Sequence, residues 1–236
     1  MPIDILALAA HRDDVEQTCA GTLLKMAERG HRTGILDLTQ GEMGTRGTME
    51  DRAREAADAA RILKVSWREA LDIPDGRVEN TWENRMKVAG VLRNQRPRVL
   101  ILPYWEGRHP DHYTASTLGY EAAFLSGLAK LPVGGSPHRP FKIIYASLYR
   151  DVRPTFVVDI TDQFETRLAA LMAYKSQFDD QEAGSNIFPA HKEIRTRVES
   201  MARYYGMLGG VTYAEPFIQK EVGLVDDVMA LPVKSI

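Results

Sequence analysis

The chain alternates short, continuously apolar runs with longer segments in which apolar residues recur every three or four positions. The first pattern is typical of strands buried on both faces of a sheet, and the second of helices packed against it. The predicted strands are 3–10, 32–39, 68–73, 98–104, 141–149 and 155–160. The predicted helices are 16–29, 50–64, 81–97, 111–125, 162–178 and 191–206. This order predicts an α/β fold, a Rossmann-like three-layer sandwich with a mostly parallel sheet between two layers of helices.

The whole chain, residues 1–236, is predicted to form a single domain. Its length is sufficient for a large core, and it contains no internal repeat. Two segments, 131–140 and 179–190, have the composition of loops, but neither is rich enough in Pro, Gly and Ser to separate domains.

Composition and charge argue against several classes of partner. The net charge of −2 and the pI near 6.3 give no electrostatic reason to expect binding to nucleic acid or to a membrane surface. No window approaches the ~20 apolar residues of a membrane span. The single cysteine, Cys19, falls on the apolar side of a helical pattern and is expected to pack in the core. A chain with one cysteine forms no internal disulfide, which favours a reducing, cytoplasmic location.

Two of the apolar strands end abruptly in clusters of histidine and aspartate. The clusters are His11, Asp13 and Asp14 after strand 3–10, and His109, Asp111 and His112 after strand 98–104. Open α/β sheets bind ligands at the carboxyl ends of their strands. If the two strands are neighbours, both clusters lie at the same edge of the sheet.

Two histidines and one carboxylate with free coordination positions are the ligand set of a catalytic Zn2+ site. The same facial arrangement also suits Fe2+, so the ligand types leave the metal open. Adjacent Asp13 and Asp14 would repel each other unless a cation or a proton lay between them. Glu16 stands where an acidic residue stabilises a helix N-terminus, and that role is expected for it.

Other hydrolytic and nucleotide-binding signatures are absent from the sequence. No G-x-x-x-x-G-K-S/T loop is present, and the glycines of "GEMGTRGT" (41–48) lack the G-x-G-x-x-G spacing. No serine lies in a G-x-S-x-G elbow. The glycines of 41–48 are therefore expected to allow close turns beside the site.

"AHRDDVE" and "RHPDH" together resemble the paired signature of the LmbE-like, or PIG-L-like, zinc-dependent N-acetylglucosamine deacetylases. The resemblance covers most of the chain. "GILDLTQGEMGTRGT", "AYKSQF" and "YAEPF" are similar to the branch that includes bacillithiol-biosynthesis deacetylases. One departure is Arg12, where the family usually has proline. Arg12 lies between the ligands and supplies none, so the metal site is expected to be intact, with a cation at its rim.

The resemblance implies a role for each residue of the two clusters. The zinc ligands would be His11, Asp14 and His112. Asp13 would be the general base, and a protonated His109 would stabilise the tetrahedral oxyanion. Asp111 would accept a hydrogen bond from His109 and keep it charged.

The resemblance also implies a substrate, the malate glycoside of N-acetylglucosamine, which carries two carboxylates. Arg52, at the start of the helix after the glycine loop, is the expected contact to this small-molecule substrate. Glu42 and Arg46 in the loop are further expected contacts. Similar proteins form trimers or paired trimers, so a homo-oligomer is expected.

Three alternatives stay open at this point. The substrate could be a chitooligosaccharide or another N-acetylglucosaminyl conjugate. A metal-dependent phosphoesterase would use a similar site, although such enzymes often hold two metals ~3.5–4 Å apart. A non-catalytic metal- or sugar-binding protein is the third alternative, but it would have no use for a base beside the metal.

Overall fold

The computed structural model describes residues 2–148, 150–179 and 191–233, with backbone only at 191 and 192. The strands are β1 (Ile5–Ala9), β2 (Thr33–Asp37), β3 (Trp67–Ala70), β4 (Val99–Pro103), β5 (Lys142–Ala146), β6 (Phe156–Asp159) and β7 (Ala214–Ile218). The helices are α1 (Asp14–Thr18), α2 (Ala20–Glu28), α3 (Met49–Ile62), α4 (Trp82–Gln95), α5 (Pro110–Leu125), α6 (Phe164–Met172), α7 (Lys175–Phe178) and α8 (His191–Gly209). Short 3-10 turns lie at Thr161–Gln163 and Val228–Ala230.

These strands form one sheet in the order β3-β2-β1-β4-β5-β7-β6. The first five run parallel, and β7 is antiparallel to both of its neighbours. The predicted mostly parallel α/β sheet is thereby confirmed. The strand order reverses between β1 and β4, and such a switch point opens a crevice at the carboxyl ends of the two strands.

Successive side chains of β1 point to opposite faces of the sheet, which creates two cores. Ile5, Ala7 and Ala9 pack under α2, α3 and α6, whereas Leu6 and Leu8 pack under α4 and α5. Both faces are covered, which explains why the strand is apolar at every position. Cys19 is buried in the first core, as predicted.

The predicted helix 16–29 is divided at Cys19, where the backbone leaves the helical conformation. The carboxylate of Glu215 supplies the physical reason, because it caps the N-terminus of α2. It accepts hydrogen bonds from the backbone N–H groups of Gly21 (2.8 Å) and Thr22 (2.7 Å). A Cβ at Gly21 would lie 2.9 Å from this carboxylate, so the close approach requires glycine.

Two other segments differ from the sequence prediction. The predicted helix 162–178 is interrupted at Tyr174, whose side chain turns into the core beneath α3. The strand β7 was not predicted, because it is short and contains Glu215 and Pro216. The predicted loop 179–190 lies outside the described residues, apart from its first residue. In the part of the chain that the structure describes, no helix has the length and apolarity needed to span a bilayer.

Candidate active site

The two histidine–aspartate clusters meet at the carboxyl ends of β1 and β4. α1 begins directly after Asp13, which takes a left-handed conformation (φ 96°) that is uncommon for a residue other than glycine. α5 begins directly after His109. These two tight strand-to-helix turns bring His11 Nδ1 within 3.2 Å of His112 Nε2, although the residues are far apart in sequence.

Three donor residues form a small triangle at this point. Asp14 Oδ2 lies 3.5 Å from His11 Nδ1, and Asp14 Oδ1 lies 3.2 Å from His112 Nε2. Tetrahedral ligands at about 2.0–2.1 Å from a zinc ion stand about 3.3 Å apart. The three separations are close to this spacing, with Asp14 facing each histidine through a different oxygen. Ring nitrogens of His11, His109 and His112 also lie within 4.8 Å of one another, so His109 is a further possible donor.

The second ring nitrogen of His11 faces two more carboxylates. His11 Nε2 lies 3.1 Å from Asp75 Oδ1 and 3.1 Å from Asp111 Oδ2. Asp111 also accepts hydrogen bonds from the backbone N–H groups of Gly76 (2.8 Å) and Val78 (3.2 Å). The expected hydrogen bond from His109 to the Asp111 carboxylate is therefore wrong, because this carboxylate orients His11 instead.

Asp75 is the site residue that sequence reasoning missed. It follows β3 in the turn "IPDG", and its backbone N–H donates to Glu42 Oε1 at 2.7 Å. The signal was present, since β3 is a third parallel strand whose carboxyl end lies at the same edge of the sheet.

The electrostatics of the cluster show that it attracts positive charge. Burial alone would lower the pKa of His11, but hydrogen bonds to Asp111, Asp14 and Asp75 outweigh it and raise this pKa to about 12. Burial would likewise raise the pKa of Asp14, yet the charge of His112 and hydrogen bonds from both imidazoles hold it well below its usual range. The donor set therefore needs a cation, whether a proton or a metal ion.

Asp13 stands beside the triangle and contacts a different partner. Its Oδ1 lies 3.3 Å from Arg52 Nη2, and the same guanidinium group donates to the carbonyl oxygen of Arg12. Burial, reinforced by the charges of Asp14 and Glu16, raises the pKa of Asp13 to about 7 despite the opposing charge of Arg52. This carboxylate is thus poised to exchange a proton near neutral pH.

His109 lies over the site with its ring exposed and packed against the other two imidazoles. The ring centroids are 4.8 Å from His11 and 4.7 Å from His112. Its Nδ1 accepts a hydrogen bond from the backbone N–H of Asp111 (3.3 Å), so the neutral ring carries its proton on Nε2. Burial and the charges of His11 and His112 lower the pKa of His109, so the expected protonated form is disfavoured.

The residues expected to contact substrate form hydrogen bonds within the protein. Arg52 is buried against Asp13 rather than open to a ligand. Arg46 is also buried, and its guanidinium donates to the carbonyl oxygen of Gln177 at 2.9 Å. Glu42 holds the turn after β3 through the backbone of Asp75. Arg52 and Arg46 are therefore turned inward, whereas Glu42 is exposed and its expected contact with substrate stays a prediction.

Arg12 is also turned inward, away from the expected rim position. Its Nη1 donates to the carbonyl oxygens of Gln40 (3.2 Å) and Met49 (3.1 Å). These two carbonyl groups stand at the two ends of the glycine-containing loop between β2 and α3. The arginine that replaces the usual proline therefore ties this loop to the turn that carries Asp13.

Glu16 lies in the first turn of α1, the helix-terminal position that the sequence predicts, and its side chain also joins a buried network. Its side chain is fully buried, 2.6 Å from Arg68 Nη1 and 3.3 Å from the Tyr174 hydroxyl. Arg68 also pairs with Asp37 at 2.8 Å. This buried ion-pair network lies behind Asp13 and couples α1 to β2, β3 and the segment after α6.

A small, largely apolar cavity of about 20 Å³ adjoins the triangle. Val15, Thr18 and Pro103 contribute to its walls, and Asp14 and His112 also line it. A cavity of ~10–15 Å³ already admits one water molecule, so this one has room for a group of about the size of a methyl.

Replacing Arg52 distinguishes a positioning role from a substrate contact. We expect Arg52→Met to lower kcat about 100-fold with little change in KM, because Asp13 loses the group that holds its carboxylate. Arg52→Lys should recover part of this loss, and steady-state kinetics on the N-acetylglucosamine derivatives that the resemblance implies measures both. The control is Arg54→Met, which removes an exposed arginine on the same helix. A raised KM with unchanged kcat would instead identify Arg52 as a substrate contact.

Residues 6–123 match the protein family described as PIG-L: GlcNAc-PI de-N-acetylase. A diacetylchitobiose deacetylase of Thermococcus kodakarensis is 32% identical over 227 residues, which cover 89% of this chain and 80% of the relative. Both findings agree with the resemblance drawn from the two histidine–aspartate clusters.

Two solved structures share the fold closely. The conserved protein TT1542 from Thermus thermophilus has a TM-score of 0.86 and 41% identity, covering 95% of this chain and 98% of that chain. The N,N'-diacetylchitobiose deacetylase from Pyrococcus horikoshii, complexed with its inhibitor MPG, has a TM-score of 0.79 and 26% identity. That match covers 91% of this chain and 82% of the other.

Proposed function

This chain belongs to the PIG-L family of GlcNAc-PI de-N-acetylases, and we propose that it is a metal-dependent hydrolase that removes the acetyl group from an N-acetylglucosamine derivative. One observation carries the proposal. His11 Nδ1 and His112 Nε2 lie 3.2 Å apart, and each lies 3.2–3.5 Å from one of the two oxygens of Asp14. A fourth side chain, Asp13, stands beside them and pairs with Arg52. A ligand set with a separate base is what metal-assisted amide hydrolysis requires.

The donor set fits a divalent metal ion. His11, Asp14 and His112 would hold it, while Asp75 and Asp111 fix the ring of His11 through its other nitrogen. The bound ion supplies Lewis-acid polarisation of the acetamide carbonyl and lowers the pKa of water. Nitrogen and oxygen donors of this kind suit Zn2+ and also Fe2+.

Asp13 carries the proton through the reaction. Its carboxylate takes a proton from the attacking water as the C–O bond to the acetyl carbon forms. When the C–N bond breaks, the same group returns the proton to the leaving amine, and the products are acetate and the free amino sugar. Burial raises the pKa of this carboxyl above its usual value, which favours its taking up a proton during the reaction.

His109 is the residue that stabilises the developing oxyanion. The neutral ring carries its proton on Nε2 and packs against the rings of His11 and His112, so it can donate a hydrogen bond without a positive charge. A single donor of this kind contributes on the order of 3–4 kcal/mol to transition-state stability. The apolar cavity next to Asp14 receives the acetyl methyl group.

The aglycone is a further part of the proposal. Arg52 and Arg46, which the sequence linked to the carboxylates of the malate glycoside, are bonded within the protein. The relatives at 32% and 26% identity are named as diacetylchitobiose deacetylases. We therefore favour a small β-linked N-acetylglucosamine oligosaccharide over the malate glycoside.

Comparing substrates tests this choice. Acetate release is measured with N,N'-diacetylchitobiose, N-acetylglucosaminyl malate and free N-acetylglucosamine, using metal-replete protein and metal-stripped protein as the control. We expect kcat/KM to be highest for diacetylchitobiose. A higher value for the malate conjugate would restore the bacillithiol assignment, and equal values would show that the aglycone is not recognised.

A two-metal phosphoesterase is disfavoured by the arrangement of the carboxylates. A second group of donors, His11, Asp75 and Asp111, does exist among the described residues. However, it uses the opposite ring nitrogen of His11 from the first group. Ions held by both groups would stand on opposite sides of the ring instead of ~3.5–4 Å apart.

A homo-oligomer and a cytoplasmic location complete the proposal. The resemblance supports the first, and the single cysteine supports the second. A single domain over residues 1–236 likewise stays a prediction.

A further inference from the structure

The C-terminal tail, residues 221–233, is exposed along its whole length although it is rich in apolar side chains. Its large apolar residues are Val222, Leu224, Val225, Val228, Met229, Leu231 and Val233. Val222 is 97% exposed, Leu224 95% and Met229 87%. So many apolar groups in one exposed segment are typical of a surface that a partner covers.

The start of the tail is fixed on the protein by Lys220. Its ammonium group lies over three aromatic rings, 4.6 Å from the centroid of Trp105, 4.9 Å from Tyr145 and 5.0 Å from Tyr120. The tail therefore leaves the body of the protein from a defined position.

Beside this position lies an open groove of about 670 Å³, here named the tail groove. One wall is aromatic and basic, and consists of Tyr120, Phe124, Arg139, Phe141 and Lys142. The other wall is residues 219–224, the beginning of the chain's own tail. Phe141 is 76% exposed and Phe124 56% exposed, so the groove presents apolar surface that is itself uncovered.

The charges of the groove and of the tail are complementary. The Arg139 guanidinium lies 4.4 Å from the ring centroid of Phe124, and the Arg98 guanidinium lies 5.2 Å from that of Phe141. The tail carries the acidic residues Glu221, Asp226 and Asp227, and residues 221–233 contain no lysine or arginine. The acidic, apolar tail and the basic, aromatic groove therefore complement each other in charge and in apolar surface.

We propose that residues 225–233 of the C-terminal tail of a second copy of this chain occupy the tail groove. The chain's own tail does not fill it, because Val222 and Leu224 form the outer wall while their side chains stay almost fully exposed. Since tail and groove are adjacent, a two-fold axis beside them places each tail in the partner's groove at once. This contact is independent of the catalytic residues and gives the expected oligomer a specific surface.

Sedimentation velocity across a range of protein concentrations tests the proposal. The tail variant is Val228→Asp/Met229→Asp, which leaves both walls of the groove unchanged, and the groove variant is Phe141→Asp. All three positions are exposed, so the variants should fold, and circular dichroism checks this. The matched control is Met207→Asp, which changes another exposed apolar residue on α8. We expect the wild type and the control to sediment as oligomers, and both variants to dissociate at least tenfold more readily.

Mixing the two variants identifies the contact. One intact tail and one intact groove remain in a mixed pair, so the tail variant and the groove variant together should form a dimer that neither forms alone. A monomeric wild type, an oligomer unchanged in both variants, or dissociation by Met207→Asp alone would each overturn the proposal. Acetate release measured on the same samples keeps this result separate from the proposed deacetylase activity.

Discussion

Asp13→Asn is expected to lower kcat about 100- to 10,000-fold while the protein still binds one metal ion per chain. The amide keeps the size and shape of the carboxylate and can still accept from Arg52, but it takes up no proton from the attacking water. The ligand atoms of His11, Asp14 and His112 are unchanged in this variant. Acetate release and metal content, measured on the same preparation, separate loss of the base from loss of the metal.

Asp72→Asn is the matched control for this experiment. It makes the same chemical change at an exposed carboxylate that pairs with Lys87, outside the site. We expect its kcat and its metal content to equal those of the wild type. Full activity in Asp13→Asn would contradict the assignment of the base, and loss of the metal would show that Asp13 is itself a ligand.

His112→Ala and Asp75→Asn should differ in how strongly they weaken metal binding. His112 supplies one corner of the triangle, so its loss should lower metal affinity by more than about 100-fold and abolish detectable activity. Asp75 contacts His11 only through the second ring nitrogen, and loss of such an outer partner typically costs about 10- to 100-fold in affinity. Competition with a chelator of known affinity measures both values.

Thermal unfolding with and without added metal provides the control for these two variants. A ligand that binds only the folded state raises the unfolding temperature, so the metal-dependent increase should shrink in the same order as the affinity. Equal affinities for the wild type and His112→Ala would contradict the proposed ligand set. A larger loss in Asp75→Asn than in His112→Ala would place the metal on the other side of the His11 ring.

The sequence predicted the fold and the location of the site because both depend on local patterns. The apolar runs before His11 and after Arg98 identified two central parallel strands, and their carboxyl ends identified the edge of the sheet where the candidate site lies. The two clusters then met as expected, since β1 and β4 are neighbours in the sheet. The apolar pattern of the strands and the residue types that follow them were sufficient to predict that the two clusters meet.

The pairing of individual side chains could not be predicted in the same way. Whether Asp111 contacts His109 or His11 depends on the turn after β3, which brings the N–H groups of Gly76 and Val78 to Asp111. That turn lies near Asp111 only because β3, β2, β1 and β4 are successive strands of the sheet. Nothing in the local sequence near Asp111 indicates it.

The charged residues were the hardest to assign, because their environment is set by tertiary contacts. Arg52 and Arg54 are both arginines in the first turns of α3, yet one is buried against Asp13 and the other is exposed. Glu16 has the sequence position of a helix-terminal acid but lies in a buried network with Arg68 and Tyr174. Burial of a charge beside its partners follows from the packing of distant elements.

Acetate release from N,N'-diacetylchitobiose, measured before and after removal of bound metal, tests the central claim most directly. We predict that the protein with one Zn2+ or Fe2+ per chain releases acetate, that the metal-stripped protein does not, and that adding either ion back restores the rate. Acetate release that persists unchanged in the stripped protein would contradict a metal-dependent mechanism. No acetate from the metal-replete protein, with any of the three N-acetylglucosamine substrates, would contradict the proposed function itself.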